Sequence, residues 1–166
     1  MIGHQRNRLP HRSCYEFAEM LSMSPAQQLR DLLQRTIACI PPKEFCGVGV
    51  VVCSNIEGMP IEPLCAKAAL PAHGELAQQI ATCSLRTSNC HDGFQFISAQ
   101  WKLLARNQYF APFPPTDQRA RATTNGNVGS RFMAARFGSL IESVLCTGLL
   151  SERDGLVVFV DGAAVD

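Results

Sequence analysis

The sequence has no stretch of the roughly 20 apolar residues that spans a bilayer. Its best apolar run, Phe45 to Cys53, is nine residues with two glycines inside. The start, MIGHQRNRLPHR, is basic but carries no apolar core behind it, so it does not read as a secretory signal. Charge is scarce, at 17% Asp, Glu, Lys and Arg with a net +1, which argues against a generic nucleic-acid coat. The catalytic and binding fingerprints are also missing. There is no GxxxxGK[ST], no GxGxxG after a strand, no GxSxG, no HExxH and no EF-hand loop. The glycines of GVGVVV lie inside an apolar strand and open no helix, which excludes a phosphate loop there. No cysteine pair has CxxC spacing, so neither a zinc knuckle nor a thioredoxin-type site is written in the chain.

What remains is 166 residues, 46% hydrophobic, enough for one domain with its own core. Residues 1–13 read as a flexible basic tail and 14–166 as a single domain. The eight cysteines, Cys14, Cys39, Cys46, Cys53, Cys65, Cys83, Cys90 and Cys146, read as free thiols used as small buried hydrophobes in a reducing, cytoplasmic setting. Cys90-His91 beside Cys83 would make a partial metal site with no visible fourth ligand.

Ser24-Pro25 opens a helix as N-cap and first helical residue. Leu29, Leu32, Leu33, Ile37 and Ile40 recur at helical spacing until Pro41-Pro42. Residues 46–53 read as a central strand covered on both faces. Asn55 to Pro63 reads as loop, about 73–86 as helix, and 91–98 and 101–110 as paired strands. Residues 111–129, with three prolines, form a long loop, and long loops in compact domains are often functional. Ser130 to about Leu150 reads as helix and Gly155–Val160 as a strand. Asp161-Gly162 is a type I′ hairpin signal with a returning strand behind it. The resulting expectation is an α/β (α+β) sandwich, with a single mixed central sheet flanked by helices.

Charge is unevenly spread. Residues 101–136 carry Lys102, Arg106, Arg119, Arg121, Arg131 and Arg136 against Asp117 alone, a net of +5. A local cluster of that size suits a phosphate-bearing small molecule better than a long polyanion, unless it is a solvated loop face. Two constellations could use it. His91-Asp92-Gly93 stands at the start of a strand, where Asp92 could hold a divalent metal or a ribose hydroxyl, or could simply sit in an Asp-Gly turn. Asn125-Gly-Asn-Val-Gly129-Ser130-Arg131 leads into a helix, where exposed N–H groups with Ser130 and Arg131 form a phosphate cradle, or where Asn127 or Ser130 merely caps.

Over roughly 24–166 the order of these pieces resembles the diadenylate cyclase domain of the DNA-integrity scanning protein and the membrane-anchored bacterial cyclases. The pieces are LRDLLQRT, GVGVVV, ELAQQIA, HisAspGlyPhe, KLLARNQYF, GlySerArg-x-x-AlaAla and DGLVVFV. In that family an Asp-Gly-Ala motif binds metal near the reacting ribose, and a Gly-Thr-Arg-His-Arg-Ala-Ala run binds the ATP phosphates. The matching residues are Asp92-Gly93-Phe94 and Gly129-Ser130-Arg131-Phe132-Met133-Ala134-Ala135. The resemblance implies a nucleotide pocket built from Asp92, Gly93, Phe94, Gly129, Ser130 and Arg131. It further implies Asp92 as ligand to Mg²⁺ or Mn²⁺ brought with the nucleotide.

Phe94 stands where the family has Ala, and Phe132 and Met133 stand where it has His and the second Arg. Neither Phe nor Met can donate to an oxyanion, and lost donors of that kind each cost hundreds-fold in rate. The expected function is therefore a catalytically inactive sensor of a nucleotide or cyclic dinucleotide, acting through an effector domain or protein or as a homo-oligomer, without a membrane. The alternatives are an active cyclase using Asp92 and Arg131 with Arg119, Arg121 or Arg136 as the replacement cation, and a ligand-free structural or oligomerisation module.

Overall fold

The computed structural model describes residues 22–65, 74–88, 91–116 and 128–166. The basic tail, Cys14, His73, Cys90, Asp117, Arg119, Arg121 and Asn125 to Asn127 lie outside the described residues. Among the described residues the chain forms one mixed seven-stranded sheet with three α-helices, an α+β fold.

The first helix, α1 (Pro25–Ala38), begins as the sequence indicates. The Ser24 hydroxyl accepts from the Gln27 amide at 3.3 Å, and the Gln27 side chain accepts from the Ser24 amide at 2.9 Å. This reciprocal pair satisfies two donors that the first turn leaves open. A short 3₁₀ turn at Pro42–Glu44 leads into β1 (Val48–Cys53), which is buried along its whole length. The remaining elements are β2 (Ile61–Pro63), α2 (Leu76–Cys83), β3 (Phe94–Ser98), β4 (Leu103–Phe110), α3 (Ser130–Gly138), β5 (Val144–Ser151), β6 (Gly155–Val160) and β7 (Ala163–Val165).

The sheet order is β2-β4-β3-β1-β5-β6-β7, with β1 parallel to β3 and antiparallel to β5. Side chains alternate across β1. Val48, Val50 and Val52 face Leu29, Leu32 and Leu33 of α1 and Ile80 of α2. Val51 and Cys53 face the other layer, where α3 and the rings of Phe94, Phe96, Phe110 and Phe159 pack. Both sheet faces are thus dry over β1, which is why its sequence shows no polar alternation.

Four expectations are corrected. The helix read over 130–150 ends at Gly138, and β5 follows. A side chain at 138 would overlap the Phe110 ring, so α3 can lie on β4 only through that glycine. The run from Val144 is drawn into the sheet beside β1, where Gly148 receives Leu29 and Leu33. Burial against a strand overrides the helical spacing of SLIESVL. Secondly, Ile61–Pro63, read as loop, pairs with β4 as a sheet edge, a position at which proline is tolerated. Thirdly, the helix read over 73–86 is confined to Leu76–Cys83, because Leu85 bridges to Phe45. Fourthly, Cys65 is disulfide-bonded, so the reading of all eight cysteines as free thiols fails there.

Asp161 and Gly162 have φ of 48° and 76°, as a type I′ turn requires, and β6 and β7 pair around them. No described helix is long and apolar enough to cross a membrane.

Cys53, Cys83 and Cys146 are buried free thiols, Cys46 is half-buried and Cys39 is exposed. Burial pushes the Cys53 thiol up to about 11 and that of Cys146 up to about 12, from an ordinary 9.0. The folded state holds these protons more tightly than the unfolded chain. Their contribution to stability is therefore complete below pH 9.0 and lost as pH rises towards 11 and 12. Alkylation of the native protein at mildly alkaline pH, followed by mass mapping, should label Cys39 and leave Cys53 and Cys146 unmodified until denaturant is added.

Candidate functional site

The entrance to β3 is fixed by an irregular strand pair. Phe94 pairs with Gln108 and Phe96 with Ala105, so β4 carries one extra residue between them. Asn107 takes φ 52° at this bulge. Its amide donates to Gln95 Oε1 at 3.2 Å, and Gln95 Nε2 donates to Asn107 Oδ1 at 3.1 Å. Both side chains are buried, so the amide pair stands in for the ladder bond that the bulge removes. The bulge brings the β4 backbone against Gly93, where a Cβ would overlap the Asn107 carbonyl carbon. Gly93 therefore serves close strand packing.

Asp92 immediately precedes this point, and α3 delivers Arg131 to it. The helix is held to the sheet by buried Thr147, whose hydroxyl donates to the Ala135 carbonyl at 2.6 Å. Arg131 Nη2 donates to the Asp92 carbonyl at 3.1 Å and lies 3.8 Å from Asp92 Oδ1. Its Nη1 packs over Gly47, within 2.9 Å of where a Cβ would stand. His91 Nε2 approaches Asp92 Oδ1 at 3.4 Å, while His91 Nδ1 lies 2.6 Å from the Ser88 carbonyl. The Asp92 side chain is 73% exposed and that of Arg131 24%. An ion pair this wet contributes less than about 1 kcal/mol, so an incoming anion can displace the carboxylate cheaply.

A cavity of about 640 Å³ opens at this pair. Asp92, Phe94, Ser130 and Arg131, chosen from sequence, all line it, together with Met133, Ala134 and Phe137 of α3. The far wall is the end of β4 and the two residues after it, Gln108 to Pro112, with Leu64 after β2. Gly93 and Gly129 do not line it. Gly129 is the N-cap of α3, extended at φ −74°, with no side-chain cap and nothing within 4 Å of a notional Cβ. Ser130 is therefore the first helical residue and does not cap. The sequence reading does not include the far wall, although the aromatic pair Tyr109-Phe110 just ahead of a proline-rich run is a usable signal for it.

The departures from the cyclase motifs take distinct positions. Phe132 is turned into the core, edge-to-face on Phe159 with centroids 5.0 Å apart. Met133 faces the cavity. Phe94 is buried over Gly49 and edge-to-face with Phe110 at 5.3 Å, so it floors the cavity. Arg136, one of the candidate replacement cations, is 6% exposed and donates from Nε to the Gly162 carbonyl at 3.0 Å, away from the cavity. Arg119 and Arg121 lie outside the described residues.

No three metal-ligating side chains converge among the described residues. Cys83 accepts from Arg106 Nε at 3.0 Å, and Cys90, its companion in the partial metal site read from sequence, lies outside the described residues. Among the described residues lining the cavity there is one carboxylate, Asp92. A hard divalent cation there fits only if a bound ligand's phosphates and water supply its remaining oxygens.

No family model matches the sequence, and no curated protein matches it. Solved structures do match in shape. A hypothetical membrane spanning protein from Bacillus cereus superposes with a TM-score of 0.60 at 17% identity, covering 90% of this chain and 67% of that one. DacA from Staphylococcus aureus, a diadenylate cyclase solved as a double mutant, superposes with a TM-score of 0.51 at 17% identity, covering 90% of this chain and 87% of that one. At this identity the likeness is one of fold, and the fold is that of DacA.

Replacing Gly93 by Ala should cost about 1–3 kcal/mol of stability through overpacking against the β4 backbone. Gly129→Ala should cost far less, since its Cβ meets open space. Denaturant midpoints of the two variants measure the difference.

Proposed function

We propose that this chain is a diadenylate-cyclase-like domain that binds a nucleotide or a nucleotide-derived signal without turning it over, and so acts as a sensor. The observation that carries the reading is the convergence of Asp92, Ser130 and Arg131 on one cavity whose remaining wall, Gln108 and the Tyr109 hydroxyl aside, is apolar. A guanidinium, a hydroxyl and the open N–H groups of an uncapped helix start suit a phosphate. The apolar wall, with Tyr109 and Phe94, suits a base.

Turnover makes a further demand. Joining two ATP molecules needs donors for the attacked phosphate and for the departing pyrophosphate. Phe132 is committed to the core, Met133 has no proton to donate, and Arg136 is committed to the Gly162 carbonyl. Mg²⁺ or Mn²⁺ carried in with a nucleotide would take the Asp92 carboxylate as its protein ligand and offset phosphate charge. The signal would pass to an effector domain or protein, or to a second copy of the chain.

Incubation with ATP and either Mg²⁺ or Mn²⁺, followed by chromatography, should yield no cyclic di-AMP. Formation at about 1 per second or faster, the pace of an ordinary enzyme, would refute the reading. Arg131→Ala should weaken nucleotide binding by about 1.5–3 kcal/mol, the range for a hydrogen bond to a charged group. Calorimetry measures it, and unchanged affinity would remove Arg131 from the phosphate site. Absence of any nucleotide-induced thermal shift in the parent protein would favour a ligand-free structural module.

A further inference from the structure

We infer that Gln108 reads the base: its side-chain amide pairs with the edge of an amino-bearing nucleobase, an exocyclic amine beside a ring nitrogen, as in adenine, cytosine and guanine. The inference rests on the nucleotide-binding reading above and adds the group that recognises the ring. Gln108 lines the cavity and is 8% exposed. At the β4 bulge its Nε2 donates to the Arg106 carbonyl at 2.7 Å. A carbonyl only accepts, so the amide nitrogen must be the atom turned to Arg106 and the oxygen the atom turned elsewhere. The amide is thus oriented before any ligand arrives. Its Oε1 has no hydrogen-bond partner among the described residues.

The surroundings of this amide suit a ring. Gln108 stands opposite Phe94 in the strand register and two positions before Phe110 in β4. Both rings are buried and line the cavity, as does Phe137 of α3 in the layer above the sheet. A flat heterocycle lying between sheet and helix meets apolar groups on its faces and the Gln108 amide at its edge. Such a ring shuts water away from Oε1, and an amide oxygen left dry without a donor is costly. An amine hydrogen on the ring removes that cost. The second N–H of Nε2 can donate to the ring nitrogen beside the amine. A site that holds a polar group in this way rejects an analogue lacking the partner more strongly than an apolar pocket rejects a change of shape. Arg131 and Ser130, at the start of α3, remain the partners of the phosphate.

The test is calorimetry on the full chain with three pairs of ligands, each as the 5′-monophosphate and the 5′-triphosphate in the presence of Mg²⁺. The pairs are adenosine against purine riboside, guanosine against inosine, and cytidine against pyrimidin-2-one riboside. Within each pair the amine is replaced by hydrogen and the phosphates are the same. For whichever base binds, the amino form should bind at least about tenfold more tightly, the factor expected when a buried acceptor loses its donor. Gln108→Met, or Gln108→Leu should the first fold poorly, should bring the two members of that pair within about threefold by weakening the amino form. The comparison on the parent protein needs no variant. Equal affinities within the pairs overturn the inference and leave the nucleotide reading standing. So does a tenfold preference that persists in a folded Gln108 variant. Failure of every probe to bind removes the nucleotide reading and this inference with it.

Discussion

Everything in this fold hangs on β1 being dry on both sides. A strand with valine on each face cannot stand at a sheet edge or face water. It must have a strand on either side and a helix layer above and below. It receives β3 in parallel and β5 antiparallel, with α1 and α2 on one face and α3 on the other. Because β3 runs parallel to β1, its entrance lies at the same end of the sheet as Gly47, where β1 begins. α3, packed on the opposite face from α1, sets Arg131 over that glycine. The meeting of Asp92 and Arg131, which are 39 positions apart, is a consequence of burying β1.

Close approach then decides the detail. Two glycines, Gly93 and Gly138, let β4 come near the strand entrance and near α3, with Asn107 backbone against the first and the Phe110 ring against the second. β4 thereby becomes the far wall of the cavity. The Gln95–Asn107 amide pair holds the bulge that makes the first of these approaches fit. Shape here is governed by what is missing from two side chains and by two buried amides that bond to each other.

The elements whose signals are local could be read from the sequence. The Ser24 cap, the apolar face of α1, the unbroken burial of β1 and the Asp161-Gly162 turn each depend on neighbours within a few residues. Four of the six residues chosen for the site, Asp92, Phe94, Ser130 and Arg131, line one cavity. The failures came where distant packing decides. The run from Val144 has helical spacing but is captured by β1, and Ile61 becomes a strand only because β4 passes beside it. Gly93 and Gly129 fit a motif pattern, and the surroundings differ: the Asn107 backbone lies against the first, while open space surrounds the second. The disulfide at Cys65 has no local signature at all.

The placement of Phe132 reaches beyond the cavity. Its ring is one half of an aromatic pair whose other half, Phe159, lies in β6. A polar imidazole at that position would have to find a partner in an apolar layer or leave Phe159 uncovered. Placing a polar group there consequently needs coordinated change at two sites far apart in the sequence, because contacting residues do not contribute independently. The identity of residue 132 is in that way tied to the stability of the sheet layer it packs in, and not to the chemistry of the cavity beside it.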